Sequence, residues 1–471
     1  MSSTNKYEIS LGKSVRILDL DKSVDKFDIV IDAEKGCWAR VNEEDIPIVR
    51  LLLSKPIYID EFMQTFPNKV SVIRDLFHSG LLCIDGLSRY SNNTVDTCKC
   101  IEKEQLIIVV NMTEKCNLVC SYCYAHSEEN RNALFSDEDI VCYIDTVYRN
   151  LQSTRYLTIV FHGGEPLMIY HRLKWIIERV RGISSSIRIS VQTNGTMLTV
   201  EIACFFKDNN VSIGLSLDGT SSISNKNRIF KSGASTVNAV IEGIKILLLV
   251  QNDFGVLSVI TPQNTPYIVQ TFDALIELGV KNFAFNFLLQ SESAHSEIKE
   301  IDYRQLASAY EDIACRINDI NSMRDYKDFV SERSTTTLIR SLLHQEQSIC
   351  YCTPCGAGTQ TIAIDIKGDV YACDCLVGHK EFYMGSIYDD FKVASLSPIT
   401  ILGKRVINMI SICRDCPIRQ LCINKCASDS FYRYKDVDHP HSLCKFSQIL
   451  IPKLMNLLTD KRLNPDFFKL S

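Results

Sequence analysis

The sequence predicts an α/β protein built around a partial (β/α)6 barrel of the TIM type. Strand-type and helix-type segments alternate from Gln105 onward, a smaller α+β unit precedes them, and a cysteine-rich segment follows them. Strand–helix–strand order requires a parallel sheet with right-handed crossovers, and six such units suit an open barrel. The chemistry of a barrel of this kind is expected at the carboxyl ends of its strands.

The composition is that of a folded globular protein. Of the 471 residues 46% are apolar and 23% charged, and the length suits roughly two to four domains. The polar residues 1–10 lack the apolar region of a secretory signal, and runs such as 244–250 are too short for a membrane helix of roughly 20 residues. We therefore expect a cytoplasmic protein with no membrane partner. The net charge of −5 gives no reason to expect nucleic acid.

The first residues are predicted to form a small α+β unit. Its elements are expected as strands at 27–31 and 37–41, helices at 43–53 and 69–79, a strand at 81–84 and a polar linker at 88–100. In the second helix Val70, Ile73, Leu76 and Phe77 are expected to share a face. Gly80 suits the C-cap of that helix.

Six candidate strands make up the barrel. They are expected at residues 106–111, 157–161, 187–192, 211–217, 256–260 and 283–288. A helix-type segment follows each of them, and in the first of these helices, at 136–151, Ser136 suits the N-cap.

Twenty cysteines are the unusual feature of the composition. Because cytosolic thiols are kept reduced, metal ligation is expected rather than disulfide bonding. Cys116, Cys120 and Cys123 lie together directly after the first strand. Thiolates select zinc, copper(I) or iron–sulfur clusters, and a structural zinc site normally has four protein ligands. A cluster held by three cysteines leaves one iron open to a small molecule.

This cysteine motif, with an aromatic residue before its last cysteine, resembles the signature of the radical S-adenosylmethionine (SAM) superfamily. The resemblance implies a [4Fe–4S] cluster that binds SAM and yields a 5′-deoxyadenosyl radical, which abstracts hydrogen from the substrate. It also implies SAM contacts in the loops after the second, third and fourth strands. The cofactor-binding residues so predicted are Tyr122, Gly163, Gly164, Glu165, Pro166, Gln192, Asn194, Ser216, Asp218 and Arg228.

The residue types of these loops fit that role, although turn formation is an alternative for each loop taken singly. Gly163 and Gly164 let a backbone approach a ligand without an intervening Cβ atom. The Glu165 carboxylate suits hydrogen bonds from an ammonium group. Arg228 is the candidate partner of the SAM carboxylate.

A second group of cysteines lies between residues 350 and 444. A zinc ribbon is the alternative for closely paired cysteines, but the spacing resembles the SPASM extension of radical SAM enzymes that modify peptides and proteins. The resemblance implies two auxiliary [4Fe–4S] clusters. It assigns Cys413, Cys416, Cys422 and Cys444 to one cluster, and Cys355, Cys373 and Cys426 to the other, with Cys352 or Cys350 completing the set unless one iron stays open.

Two neighbouring residues have no ligand role in that pattern. Cys375 is an extra thiol. Asp374 occupies the place at which anaerobic sulfatase-maturating enzymes carry a basic aspartate, and the resemblance therefore suggests catalysis. A turn cap is the alternative.

The N-terminal unit resembles the winged-helix, PqqD-like recognition elements of enzymes that modify ribosomally made peptides (RiPPs). Such elements bind a leader peptide as an added β-strand, and a generic winged-helix or capping domain is the alternative. We therefore expect a leader-recognition domain at 1–95, a radical SAM barrel at 104–300, a helical connector at 301–345 and a SPASM domain at 346–471.

The expected function is maturation of a ribosomally made precursor peptide through a thioether or carbon–carbon crosslink. A formylglycine-forming enzyme of the anaerobic sulfatase-maturating type is the alternative enzyme, and a zinc-binding adaptor is the alternative without catalysis. The expected electron donor is a reductase, flavodoxin or ferredoxin.

Overall fold

A computed structural model describes most of the chain. The described residues are 7–18, 27–89, 99–100, 104–123, 131–151, 155–288, 301–389, 400–403 and 405–468.

The N-terminal unit contains two small antiparallel sheets and three helices. Its elements are β1 (Glu8–Leu11), β2 (Val15–Leu18), β3 (Phe27–Asp32), β4 (Trp38–Asn42), α1 (Ile46–Ser54), β5 (Ile57–Tyr58), α2 (Ile59–Thr65), α3 (Val70–His78), β6 (Leu82–Ile84) and β7 (Leu87–Ser88). The sheet orders are β2-β3-β4 and β5-β1-β6-β7. Both sheets and all three helices contribute apolar side chains to one core. On the other face of β3, Ile29 and Ile31 pack into the larger core of the molecule.

The three strands predicted in this unit are confirmed to within one residue, and the second helix is confirmed as α3. The predicted helix at 43–53 divides into a 3₁₀ turn and α1, in which Pro47 occupies the first turn. The predicted face of α3 is wrong at Val70, which is 45% exposed, whereas Leu76 is buried. Val70 and Leu76 are six positions apart, and at about 100° per residue their side chains point about 120° away from each other around the helix axis. Most of the predicted linker, 90–98, lies outside the described residues.

The next part of the chain builds a large sheet and its covering helices. Its elements are β8 (Lys99–Cys100), β9 (Gln105–Asn111), β10 (Leu118–Cys120), α4 (Asp137–Asn150), β11 (Tyr156–His162), α5 (Tyr170–Ile183), β12 (Arg188–Thr193), α6 (Val200–Asp208), β13 (Val211–Ser216), β14 (Arg228–Phe230), α7 (Val237–Val250), β15 (Phe254–Ile260), α8 (Ile268–Glu277), β16 (Asn282–Phe287), α9 (Tyr303–Ser322), β17 (Ser331–Glu332), α10 (Arg333–His344) and β18 (Glu346–Gln347). The predicted cap of α4 is confirmed as a reciprocal pair of bonds, because Asp139 N donates to Ser136 Oγ and Ser136 N donates to Asp139 Oδ2, each at 3.0 Å.

The C-terminal part adds three strands and four helices. They are β19 (Thr361–Ile364), β20 (Asp369–Tyr371), β21 (Tyr383–Ser386), α11 (Thr400–Gly403), α12 (Ser411–Arg414), α13 (Ala427–Tyr434) and α14 (Cys444–Thr459).

All six predicted barrel strands are confirmed, and they lie side by side in chain order with every neighbouring pair parallel. The sheet continues beyond them to ten strands. Strand β17 pairs with β16 at one edge, and β19 pairs in parallel with β9 at the other, followed by antiparallel β20 and β21. Within the described part of the chain β17 and β21 do not pair with each other, so the sheet is open and forms no closed barrel.

The last helix is anchored on the large sheet. Helix α14 packs along α9, and the ring of Phe446 lies 5.2 Å from that of Tyr310 and 5.6 Å from that of Phe287, measured between centroids. The first residue of α14 is Cys444, so this contact fixes one of the predicted ligands relative to the sheet. No helix in the described ranges combines the length and the apolar character needed to cross a membrane.

Candidate active site

The three cysteines of the first motif lie at the carboxyl end of β9. Cys116 lies in the loop after that strand, and Cys120 ends β10, which pairs with β14 so that Cys120 faces Arg228. The thiol of Cys120 interacts electrostatically with those of Cys116 and Cys123. Leu118 N and Asn194 Nδ2 lie 3.4 Å and 3.8 Å from Cys116 Sγ as hydrogen-bond donors. The structure therefore brings the three thiols together at one edge of the sheet.

Gly163 and Gly164 support this cysteine loop directly. A Cβ atom at Gly163 would lie 2.3 Å from Thr113 O, and one at Gly164 would lie 2.2 Å from Lys115 O. Gly164 N donates to Thr113 O at 2.6 Å, and the next amide along the chain donates to Lys115 O at 2.7 Å. The close approach that the sequence suggested for a ligand is thus made by the protein's own backbone.

Glu165 is completely buried and joins two loops. Its carboxylate accepts hydrogen bonds from Leu167 N at 3.0 Å, Thr193 Oγ1 at 2.7 Å and Asn194 N at 2.7 Å. Burial raises the pKa of this carboxyl, and these donors partly offset the effect. The donors seen in the structure are protein groups, so Glu165 ties the end of β12 to the cysteine loop, and Pro166 begins the 3₁₀ turn that follows it.

Tyr122, Asp218 and Arg228 form a buried polar network. The Tyr122 hydroxyl donates to Asp218 Oδ2, and Arg228 Nη1 donates to the Tyr122 hydroxyl at 3.0 Å. Burial raises the pKa of Asp218 and Arg228 lowers it, with a net rise. Burial alone would lower the pKa of Arg228, but Tyr122, Cys120 and Asp218 raise it well above its ordinary value. A charged arginine is therefore held beside the cysteine motif.

The remaining predicted cofactor residues lie at neighbouring strand ends. Gln192 in β12 lies over Gly214 of β13, where a Cβ atom would come within 2.0 Å of Gln192 Oε1. Ser216 ends β13. Asn194 is buried, and its Nδ2 donates to Asn117 Oδ1 at 2.8 Å.

Sequence reasoning missed three supporting residues in the same region: Thr113, Asn117 and Thr193. Each lies next to a predicted motif in the sequence, and that position was the evidence from which a supporting role could have been predicted. Their role depends on partners that are distant in the sequence.

Among the C-terminal cysteines, the first set predicted comes together. The thiol of Cys413 interacts electrostatically with those of Cys422, Cys444 and Cys416. Burial raises the pKa of Cys413 to about 12.

In the other set the structure distinguishes two candidates for the fourth position. The thiol of Cys350 interacts with those of Cys373, Cys426 and Cys355. Cys352 Sγ instead donates to Ser348 O at 3.3 Å. The structure thus brings Cys350, one of the two candidates, to the other three cysteines.

Asp374 lies between this set and the large sheet. Cys373 Sγ is 3.2 Å from Asp374 Oδ1, and the thiols of Cys373 and Cys375 are hydrogen-bonded to each other. Asp374 also interacts electrostatically with His162, the last residue of β11, whose pKa is lowered by burial. Asp374 is therefore near enough to the carboxyl end of β11 to influence His162.

The spacing of the thiols bears on which group they hold. A single zinc ion with Zn–S bonds of about 2.3 Å holds its sulfur atoms within ~4 Å of one another. In the described residues one group of three possible metal ligands lies this close together. Its ligand atoms, from Cys373, Asp374 and Cys375, are all within 4.8 Å of one another. Within the described part of the chain, no three thiols of the other cysteine sets converge this closely.

Comparison with known proteins identifies the central part of the chain. Residues 110–275 match the radical SAM superfamily. The chain carries a radical SAM domain. A radical SAM domain implies a [4Fe–4S] cluster and SAM, and the three thiols at the carboxyl end of β9 have the number and spacing that suit such a cluster.

Several relatives of the radical SAM enzyme are similar over most of their length. A serine-type anaerobic sulfatase-maturating enzyme of Bacteroides thetaiotaomicron is 25% identical, with 71% of this chain and 85% of the relative covered. A cysteine-type anaerobic sulfatase-maturating enzyme of Clostridium novyi is 23% identical, with 76% and 97% covered.

Two solved structures share the fold. That of anSMEcpe with bound AdoMet and the Cp18Cys peptide has a TM-score of 0.64 and 21% identity, covering 76% of this chain and 99% of that protein. That of Streptococcus suis SuiB bound to its precursor peptide SuiA has a TM-score of 0.52 and 16% identity, covering 93% of this chain and 100% of SuiB.

Proposed function

We propose that this radical SAM enzyme matures a ribosomally made precursor peptide by installing a thioether or carbon–carbon crosslink. In this proposal residues 1–95 form the domain that recognises the leader and residues 104–300 form the radical SAM barrel. A helical connector at 301–345 joins the barrel to a SPASM domain at 346–471. The observation that carries it is an open strand edge in the N-terminal unit.

That edge belongs to β4. Three antiparallel strands, β2, β3 and β4, come before the three helices of the unit, which is the order expected of a winged-helix, PqqD-like recognition element. Within the described residues β4 has a strand neighbour on one side, and α3 packs against it. Ala39 of β4 and Ile73 and Phe77 of α3 are partly buried at the same core. A leader strand added to β4 would gain backbone hydrogen bonds and apolar contacts.

The N-terminal unit is fixed to the rest of the molecule close to β4. Trp38 Nε1 donates to Leu342 O at 2.8 Å, and Arg40 forms an ion pair with Asp460. A leader bound at this unit is thereby tethered near the large sheet, which raises the effective concentration of the attached core peptide.

The C-terminal cysteines are proposed to hold two auxiliary [4Fe–4S] clusters. Cys413, Cys416, Cys422 and Cys444 would hold one, and Cys350, Cys355, Cys373 and Cys426 the other. When bound, the SAM cluster supplies a radical that abstracts hydrogen, fed by one electron from a reductase, flavodoxin or ferredoxin. Asp374, which interacts electrostatically with His162 at the carboxyl end of β11, is proposed to accept the substrate proton.

The likenesses to peptide-binding proteins support a peptide substrate. The likeness to SuiB leaves 7% of this chain uncovered, which is fewer residues than the N-terminal unit contains. The aligned region therefore includes at least part of this unit, and SuiB binds a precursor peptide, which supports the proposal. The second candidate function is formylglycine formation, favoured by the relatives named as sulfatase-maturating enzymes and by the position of Asp374.

The two functions are separated by incubating reduced, reconstituted enzyme with SAM and a short precursor encoded beside it, without oxygen. We expect the precursor to lose hydrogen mass and to gain a crosslink, and the same core peptide without its leader to react far more slowly. A sulfatase-type Cys or Ser peptide serves as the comparison. Release of 5′-deoxyadenosine with an unchanged precursor, or conversion of the sulfatase peptide alone, would overturn the proposal.

A further inference from the structure

Arg333 is an exposed cation at the carboxyl end of the large sheet, the end at which the first cysteine motif lies. It directly follows β17, which pairs in parallel with β16. Its Nη2 donates to Asn286 Oδ1, near the carboxyl end of β16, at 2.5 Å. The side chain is exposed to solvent although protein atoms surround it, as in the wall of a cleft. A group that enters at this end of the sheet can therefore reach the guanidinium.

The fold leaves the Arg333 guanidinium without a carboxylate in direct contact. Adjacent Glu332 is buried, and its oxygens are occupied by three backbone amides. These donors are Phe285 N at 3.1 Å, Ser334 N at 3.1 Å and Thr335 N at 2.7 Å. Asn286 is a neutral acceptor, and in the part of the chain that the structure describes no carboxylate forms an ion pair with Arg333 within 4.0 Å.

The stability of α10 does not explain an arginine at this position. Arg333 is the first residue of that helix, where the helix dipole disfavours a positive charge, and Glu332 already supplies the cap. Polar side chains hold the guanidinium in place. Besides Asn286, the Tyr351 hydroxyl accepts from Arg333, and this hydroxyl lies 3.2 Å from Ser334 Oγ. A guanidinium held in this way loses little conformational freedom when a ligand binds to it.

We propose that Arg333 binds a carboxylate of the peptide substrate, which comes either from an acidic side chain or from the end of the peptide chain. The inference rests on the proposed function, in which the substrate is a peptide. A guanidinium presents parallel N–H groups that match the two oxygens of a carboxylate. The contact holds a part of the peptide that does not react, so it lowers KM and leaves kcat nearly unchanged.

The test uses the peptide that the parent enzyme converts, either the neighbouring precursor or the sulfatase-type peptide. The peptide is prepared unchanged, with a C-terminal amide, and with Asn and Gln in place of the Asp and Glu of its core. We expect Arg333→Gln to raise KM for the unchanged peptide about 10-fold or more, as loss of a hydrogen bond between charged groups gives. One altered peptide should show the same rise with the parent and no further rise with Arg333→Gln, which identifies the source of the carboxylate.

A second variant decides the case if Arg333→Gln does not fold. Asn286→Asp places a carboxylate beside Nη2 in competition with the substrate, and we expect it to raise KM for the unchanged peptide as well. Arg316→Gln, which removes an exposed ion pair with Asp273, is the matched control and should leave KM as in the parent. Unchanged KM in a folded, iron-loaded Arg333→Gln or Asn286→Asp protein overturns this inference alone, as does a full further rise with both altered peptides. A parent that converts neither peptide overturns the proposed function and this inference with it.

Discussion

At the scale of single residues, Glu165 joins the loop after β12 to the segment that precedes the cysteine motif. Its buried carboxylate accepts from Leu167 N, Thr193 Oγ1 and Asn194 N. Asn194 in turn lies 3.8 Å from Cys116 Sγ through Nδ2. We therefore expect loss of the Glu165 carboxylate to affect both the stability of the fold and the positions of the thiols of the first cysteine motif.

Glu165→Ala should lower the free energy of unfolding and loosen the cluster site. Each buried donor left without an acceptor costs about 1–3 kcal/mol. Denaturant unfolding and iron content after reconstitution measure the two effects. Glu242→Ala is the matched control, because Glu242 lies on the surface of α7 in an exposed pair with Lys245. Equal stability and equal iron content in the two variants would contradict this role of Glu165.

Asp374→Asn should separate SAM cleavage from product formation. The aspartate interacts electrostatically with His162 at the end of β11, and in the proposed function an amide in its place cannot accept the substrate proton. We expect 5′-deoxyadenosine to form while modified peptide falls by at least about 100-fold, in line with loss of a general base. Asp369→Asn in β20 is the control. Normal product formation in Asp374→Asn would mean that the carboxylate has a structural role.

At the scale of elements, the loop after β11 lies directly against the loop after β9. Gly164→Ala places a Cβ atom 2.2 Å from Lys115 O, and that contact is with backbone, which cannot move aside as a side chain can. We expect a loss of about 1–3 kcal/mol or more in the free energy of unfolding, as overpacking commonly gives, and a fall in bound iron.

Gly182→Ala in α5 provides the control for Gly164→Ala. No atom lies within 4 Å of its added Cβ, and alanine favours a helix over glycine by about 1 kcal/mol. This variant should therefore be as stable as the parent or more so. A Gly164→Ala protein with normal stability and iron content would show that the two loops are less tightly packed than described.

Helix α10 carries a pH-sensitive cap. Glu332 is buried and accepts from Ser334 N, Thr335 N and Phe285 N. Burial raises the pKa of its carboxyl above the ordinary value of 4.5, although these donors partly offset it. The folded state therefore binds this proton more tightly than the unfolded chain does. The contribution of Glu332 to stability is full below pH 4.5 and is lost as the pH rises through the folded pKa.

Glu332→Gln removes this titration. The free energy of unfolding of the parent, relative to that of Glu332→Gln, should fall as the pH rises from 4.5 toward neutrality. Urea unfolding of both proteins at a series of pH values measures the difference. A difference that stays constant across this range would contradict the account of the cap.

An element can be predicted from the sequence when the residues that stabilise it are close together in the chain. The six parallel strands were predictable because local patterns mark them: β9 and β11 are mostly apolar runs, and apolar residues alternate with polar or small ones in β12 and β13. Strands β1 and β5 have four and two residues and pair with each other across about 50 positions of the sequence. The pairing of β19 with β9 joins residues about 250 positions apart and leaves no local pattern.

At the scale of the whole molecule, the large sheet gathers motifs that are far apart in the chain. Tyr122, Asp218 and Arg228 were each predicted near SAM, but the bonds that join them were not, because they span about 100 residues. The sequence also left the choice between Cys350 and Cys352 open. That choice depends on how the segment before Cys355 folds against Cys373 and Cys426.

The packing of the N-terminal unit against the large sheet also belongs to the scale of the whole molecule. The N-terminal unit packs into the larger core through Ile29 and Ile31, and Trp38 is bonded to the end of α10. The N-terminal unit and the large sheet therefore form one connected body of packed side chains, and in the proposed function a leader bound at β4 would be held near the sheet.

The most direct test of the central claim measures 5′-deoxyadenosine after anaerobic reduction with SAM. It compares the parent chain with a variant in which Cys116, Cys120 and Cys123 are replaced by alanine. We predict steady formation by the parent and none above background by the variant, which should still retain iron at its C-terminal cysteines. Equal formation of 5′-deoxyadenosine by the two proteins would contradict the assignment of these three thiols to the SAM cluster.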